Sequence, residues 1–81
     1  MIKEMLETVI KSMVDKEEKV NLTEVSGANI SNYELIVDDN DIGKVLGKQG
    51  RNINAIRTIL TAASTKKGHK SNLEVIIPKK Q

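Results

Sequence analysis

"DIGKVLGKQGRNINAIRTIL", residues 41–60, places three glycines and four basic residues in twenty positions, with Asp41 as its only acid. Before Gly47 the apolar residues Ile42, Val45 and Leu46 recur at helical spacing. After Gly50, Ile53, Ile56, Ile59, Leu60 and Ala63 do the same. This predicts a short helix at about 41–46 and a longer one at about 51–65, interrupted by Gly47-Lys48-Gln49-Gly50. A turn flanked by glycines lets a foreign backbone approach closely, because no Cβ stands in the way. The amides that open the second helix lack intrahelical partners and carry partial positive charge, which suits a phosphate. Lys48 and Gln49 project from the turn, Arg51 opens the second helix, and Lys44 lies one turn before Lys48.

Two other phosphate-binding loops fail on spacing. A Walker A loop needs GxxxxGK followed by Ser or Thr. Gly43 and Gly47-Lys48 are separated by three residues, and Gln49 follows the lysine. The dinucleotide fingerprint GxGxxG is not matched by GxxxGxxG, and no long βαβ unit surrounds it. His69 is the only histidine, and Asp38, Asp39 and Asp41 read as helix caps before metal ligands. No catalytic constellation, cofactor or metal is expected, and no small-molecule substrate.

The 81 residues are expected to form one domain, 1–81, with a small aliphatic core: cysteine, phenylalanine and tryptophan are absent and Tyr33 is the sole aromatic. No apolar run reaches the roughly 18–20 residues of a membrane span, and Glu4 and Glu7 interrupt the N-terminal apolar residues. A cytoplasmic protein without membrane association is the expectation. The net charge of +2 hides an asymmetry. Residues 1–41 carry four lysines against ten acids, whereas residues 42–81 carry nine basic residues against Glu74 alone. Such segregation predicts a positive face and a polyanionic partner.

Ile2, Met5, Leu6, Val9, Ile10 and Met13 form an apolar stripe, predicting a helix over 2–14 that ends at the charged run 15–19. "VNLTEV" (20–25) and "YELIVD" (33–38) read as strands joined through the turn residues Gly27, Asn29 and Asn32. Asp39 and Asn40 are candidate N-caps for the short helix, with Asp41 favourable in its first turn. A basic loop at about 66–72 and a strand at 72–78 complete the order helix, strand, strand, short helix, helix, strand. The fold class is α+β: a three-stranded mixed sheet with helices on one face.

"VLGKQGRNI" (Val45–Ile53) resembles the signature of the KH domain, and the element order matches the type II version of that fold, α-β-β-α-α-β. Length and the 41–60 stretch are most similar to the small bacterial single-KH RNA-binding proteins of the KhpA type. The resemblance implies non-catalytic binding of single-stranded RNA, with broad specificity, as an RNA chaperone or post-transcriptional regulator. It implies that Gly47, Lys48, Gln49 and Gly50 lie against the sugar-phosphate backbone. Lys44, Arg51, Arg57 and the loop lysines Lys66, Lys67 and Lys70 would add attraction. Ile42, Val45 and Leu46, with Ile53 and alternate residues of 73–77, are candidates for the groove's aliphatic floor; Leu46 also reads as ordinary core, and for Ile53 core is the favoured reading.

Aromatic poverty disfavours modules that stack bases on Phe, Tyr or Trp but leaves an aliphatic KH groove unaffected. One shallow groove offers limited affinity, so a homodimer, or a heteromer with a larger KH-containing RNA-binding protein, is implied. Two alternatives stand beside this reading: a protein-interaction or dimerisation module with weak RNA binding, and binding of single-stranded DNA.

Overall fold

The computed structural model describes residues 2–78; Lys79 and Lys80, counted among the basic residues above, lie outside them. Helix α1 (Ile2–Lys11) is followed by strands β1 (Asn21–Ser26) and β2 (Ile30–Ile36), helices α2 (Ile42–Leu46) and α3 (Arg51–Lys66), and strand β3 (Lys70–Val75). β2 is central, antiparallel to β1 and parallel to β3. The parallel pair requires a crossover, which α2 and α3 supply. The architecture is the α+β arrangement expected, with a three-stranded mixed sheet.

Alternation along β2 sets the layers. Ser31, Tyr33 and Leu35 are buried while Ile30, Asn32, Glu34 and Ile36 are exposed, so one face of the sheet carries the helices and the other is open. Leu6 and Ile10 of α1 meet Leu35, Val45, Ile56 and Leu60 in the core. Burying a side chain of this kind contributes about 1.5–3 kcal/mol, the main stabilising term available to a chain without disulfides.

Several boundaries differ from the sequence-based expectation, each for a tertiary reason. α1 stops at Lys11, not at residue 14. The backbone N–H groups of Asp15 and Lys16 donate to the Asp41 carboxylate at 3.2 and 3.0 Å, drawing the chain off the helical path. Asp41 is therefore a buried anchor, 1 % exposed, and not a first-turn dipole partner. Asp38 caps the single turn Asp39–Asp41 that leads into α2, its side chain accepting the Asn40 N–H at 3.0 Å; neither Asp39 nor Asn40 caps α2, which begins after Asp41 with no side-chain capping bond.

β2 begins at Ile30, three residues early, and the hairpin connection shrinks to Gly27–Asn29. Ser31 and Asn32 are poor strand formers, but Ser31 bonds Glu24 and His69, and Asn32 accepts from Asn72 of β3. Cross-strand partners override local propensity here. In α3 the buried stripe is Ile53, Ile56, Leu60 and Ser64. Ile59, expected inward, is 49 % exposed, because adjacent residues lie about 100° apart and Leu60 takes the inward direction. β3 runs over Lys70–Val75, shifted toward the N-terminus from the expected 72–78. Among the described residues, no helix is long and apolar enough to cross a membrane.

Candidate nucleic-acid interface

The α2–α3 junction is built by backbone conformations that ordinary residues avoid. Gly47 has φ 74°, ψ 172°, and Gly50 has φ 78°, ψ 14°. Between them Lys48, Gln49 and Gly50 form a single tight turn, with Gln49 also at positive φ (58°). Gly47 is required twice over. A Cβ there would stand 2.6 Å from the Asn52 Cγ and 2.7 Å from the Asn52 backbone nitrogen. Gly50 needs its left-handed φ but has open space, with the nearest atom 3.6 Å from a Cβ.

The turn is stitched internally. The Gly47 N–H closes α2 on the Gly43 carbonyl at 2.8 Å, the Gly50 N–H returns to the Gly47 carbonyl at 3.1 Å, and the Asn52 amide donates to the Lys44 carbonyl at 2.8 Å. Asn52 thus ties the end of α2 to the start of α3. No side chain caps the N-terminus of α3, whose preceding residue is Gly50. A helix of 16 residues ends here with its positive pole open beside the exposed turn residues Lys48 and Gln49 and the exposed Arg51. Among the described residues, neither Lys48 nor Arg51 makes an ion pair. The half-buried Gly47 and Gly50 and the exposed Lys48, Gln49 and Arg51 therefore form one continuous surface carrying unneutralised positive charge.

The remaining candidate residues are placed differently. The Lys44 ammonium is engaged with the Asp15 carboxylate and lies 3.8 Å from Asp41, which hold its pKa above the ordinary lysine value, the Asp15 hydrogen bond contributing most. It reaches the site already neutralised. Ile42 and Leu46 are partly buried against the core, while Val45 and Ile53 are fully within it. These four support the turn from beneath. The Arg57 guanidinium crosses to β3, donating from Nε and Nη2 to the Leu73 carbonyl at 3.1 and 3.0 Å, with Nη1 3.5 Å from the Asn54 side-chain oxygen. It borders a cleft between α3 and the free edge of β3, together with Thr61, Ser71 and Asn72.

The segment 66–72 divides into three parts: Lys66 closes α3, Lys67–His69 is the connection, and Lys70, Ser71 and Asn72 open β3. At 1.5 Å per residue, α3 separates Lys66 and Lys67 from the glycine turn by about 24 Å. Lys70 pairs with Ile30 on the open face of the sheet. The structure does not bring these three lysines to the turn. The sequence reading also missed Asn52 and Asp41 as the residues that hold the turn's flanks. The pairing of an asparagine immediately inside the second helix with a preceding GxxG was the only local signal.

Comparison with known proteins gives one consistent family. A family model described as "KhpA/KhpB, KH domain" matches residues 3–75. The "RNA-binding protein KhpA" of Chlamydia trachomatis is 47 % identical over 75 residues, covering 93 % of this chain and 96 % of that protein. The protein of the same name from Clostridium perfringens is 47 % identical, over 93 % of this chain and 100 % of its own length. That from Aquifex aeolicus is 44 % identical, over 93 % and 95 %.

Proposed function

Because the chain belongs to the KhpA/KhpB KH-domain family, we propose that it binds RNA without catalysing a reaction, gripping single-stranded backbone at the Gly47–Gly50 turn. The observation that carries this reading is the uncapped N-terminus of α3 beside a turn whose glycines admit close approach. A phosphate seated there would meet backbone N–H groups and the positive end of a long helix dipole. Lys48 and Arg51 would add two cations that no acid of the described chain neutralises. Bases would splay into the cleft between α3 and β3. The working unit is a single domain in the cytoplasm, acting as a broad-specificity RNA chaperone or regulator. Lys44, Lys66, Lys67 and Lys70 act at longer range than Lys48 and Arg51. Exposed Ile36, Ile59 and Ile77 are available for self-association or for a KH-containing partner, which would add affinity by linkage.

The test is fluorescence anisotropy with a ten-nucleotide single-stranded RNA from 25 to 200 mM salt. Two direct phosphate contacts predict a log–log slope of roughly −1.4. Lys48→Asp with Gln49→Asp should weaken binding about tenfold or more, equivalent to about 1.4 kcal/mol, with the circular dichroism spectrum unchanged. An unaltered affinity in that double variant would remove the turn from the interface. Equal or tighter binding of the matching DNA would assign the site to single strands in general.

A further inference from the structure

Glu74 is the only acid among residues 42–81, a half that carries nine basic residues. Among the described residues the fold matches it with none of them. In the parallel register of β2 and β3, Glu74 stands beside Glu34, and both are exposed on the face of the sheet that carries no helix. Neighbouring strands lie about 4.8 Å apart, so two carboxylates meet solvent side by side. Like charges in that relation destabilise a sheet. Among the described residues neither glutamate makes an ion pair. Lys70 shares the face but pairs with Ile30, beside the β1–β2 connection. That places it about 13 Å along β3 from Glu74, too far to neutralise it.

The same face is aliphatic at both ends. Val25 and Ile30, toward the β1–β2 connection, are 56 % and 36 % exposed, and Ile36, at the other end of β2, is 48 % exposed. Three of the five large hydrophobic residues exposed among the described residues therefore lie where no helix covers them. Between these ends is a hollow of about 290 Å³, with Val25, Asn32, Glu34, Asn72 and Glu74 in its walls. The Asn72 amide donates to the Asn32 side-chain oxygen at 2.9 Å. The hollow thus joins two uncompensated carboxylates to flanking apolar surface.

We infer that this open face docks a helix of another protein, whose arginine enters between Glu34 and Glu74 while aliphatic side chains on either side cover Val25, Ile30 and Ile36. A guanidinium carries five N–H groups in a rigid fork and can engage two carboxylates at once. Its charge removes the repulsion that the free chain sustains. From Ile30 to Ile36 the strand covers about 20 Å, the length of about 13 helical residues, and three strands give the roughly 10 Å width a helix needs. Nucleic acid does not fit, because two unneutralised carboxylates repel phosphates. A second copy meeting this face with its own across a twofold axis would set four carboxylates together. The face lies on the opposite side of the sheet from α2 and α3, so a docked helix and RNA at the glycine turn are compatible. The chain would then act as an adaptor between RNA and a protein, although the docking itself does not depend on the RNA-binding reading.

The experiment titrates the ¹⁵N-labelled full chain with a sixteen-residue helical peptide of alanine and glutamine, bearing one central arginine and leucines one and two turns away on the same side. A second peptide has glutamine in place of the arginine. The arginine peptide should shift the amides of Val25, Asn32, Glu34, Ile36, Asn72 and Glu74 and bind about tenfold tighter than the glutamine peptide. Glu34→Gln with Glu74→Gln should remove that difference. By relieving the repulsion it should also raise the thermal midpoint of the free chain by a few degrees. A lowered midpoint would show the carboxylates already neutralised within the chain and overturns the inference. Equal binding of the two peptides, shifts confined to the acidic segments 15–19 and 38–39, or an unmoved open face at millimolar peptide does so too. Open-face shifts that follow chain concentration without peptide would give the face to a second copy, against this assignment. Saturating single-stranded RNA should leave the peptide affinity within twofold, and competition between the two overturns the adaptor role. A chain that binds the arginine peptide on this face but no RNA would overturn the RNA-binding reading and leave the docking surface standing.

Discussion

Replacing Gly47 with alanine should unfold much of what the α2–α3 junction secures. Its backbone at φ 74°, ψ 172° lies in a region that is almost exclusively glycine's, so a Cβ costs about 1–3 kcal/mol in strain. The added atom would also meet the Asn52 nitrogen at 2.7 Å and Cβ at 2.9 Å. Relieving such an overlap by moving backbone costs about 1–3 kcal/mol more. The sum, about 4 kcal/mol, is a large share of the roughly 4–12 kcal/mol expected for a domain of this length. Gly50→Ala meets nothing closer than 3.6 Å and incurs left-handed strain alone, about 1 kcal/mol. Gly43, inside α2 with open space around its Cβ direction, should gain about 0.5–1 kcal/mol on becoming alanine. Thermal and urea unfolding should therefore rank the chains Gly43→Ala, wild type, Gly50→Ala, Gly47→Ala. The last should melt about 15 °C or more below wild type. Adding Asn52→Ala removes the Cγ contact but leaves the nitrogen and Cβ contacts, so it should not restore Gly47→Ala. Equal stability of the Gly47 and Gly50 variants, or rescue by Asn52→Ala, would refute the packing argument.

The acid limb of stability should report Asp41. Its carboxyl is held below its ordinary value of 3.8, chiefly by the Lys16 backbone N–H and further by the Asp15 N–H and the Lys44 ammonium, against the opposing effect of burial. A folded pKa below the unfolded one gives stabilisation that is complete above about pH 4 and lost as pH falls through the folded value. Asp41→Asn should thus lower the urea midpoint at pH 7 and lose less than wild type between pH 5 and pH 2.5; identical acid losses would exclude Asp41 as a source. Glu24, lowered first by the Ser26 hydroxyl, should account for part of the acid sensitivity that remains. Gln49, at φ 58° without being glycine, should be replaceable by glycine with a gain of about 0.5 kcal/mol, as relief of left-handed strain outweighs the added unfolded-state entropy. Differential scanning calorimetry reads this as a rise of a few degrees, and a fall would contradict it.

The elements that determine the fold were legible because their signals are local and periodic. Leu6 with Ile10, and Ile53, Ile56 and Leu60, recur at helical spacing and are buried as that spacing requires. The glycine pair at 47 and 50 marked the turn because its backbone angles exclude most other residues. What escaped were long-range polar contacts. Asp41 reads as a cap from its neighbours, yet its partners are amides 25 and 26 residues earlier. Asn32 reads as a turn residue and Ser31 lies in the same expected connection, yet Ser31 bonds His69 and Asn32 accepts from Asn72 of β3. Similarly, no local pattern indicates that Arg57 would reach the Leu73 carbonyl, or that Lys44 would be matched by Asp15. The lysines at 66, 67 and 70 cluster in sequence, but a 16-residue helix carries them away from the turn.

A phosphate seated at the N-terminus of α3 would engage backbone amides, and amide chemical shifts observe those groups individually. A ¹H–¹⁵N titration of the labelled chain with a ten-nucleotide single-stranded RNA should move the amides of residues 47–53 most. Smaller shifts should follow at Arg57 and along residues 71–73, and the open-face residues Thr23, Glu34 and Glu74 should stay still. If the largest shifts fell on the open face of the sheet while residues 47–53 were unmoved, the RNA would be held elsewhere and this account of the turn would be wrong.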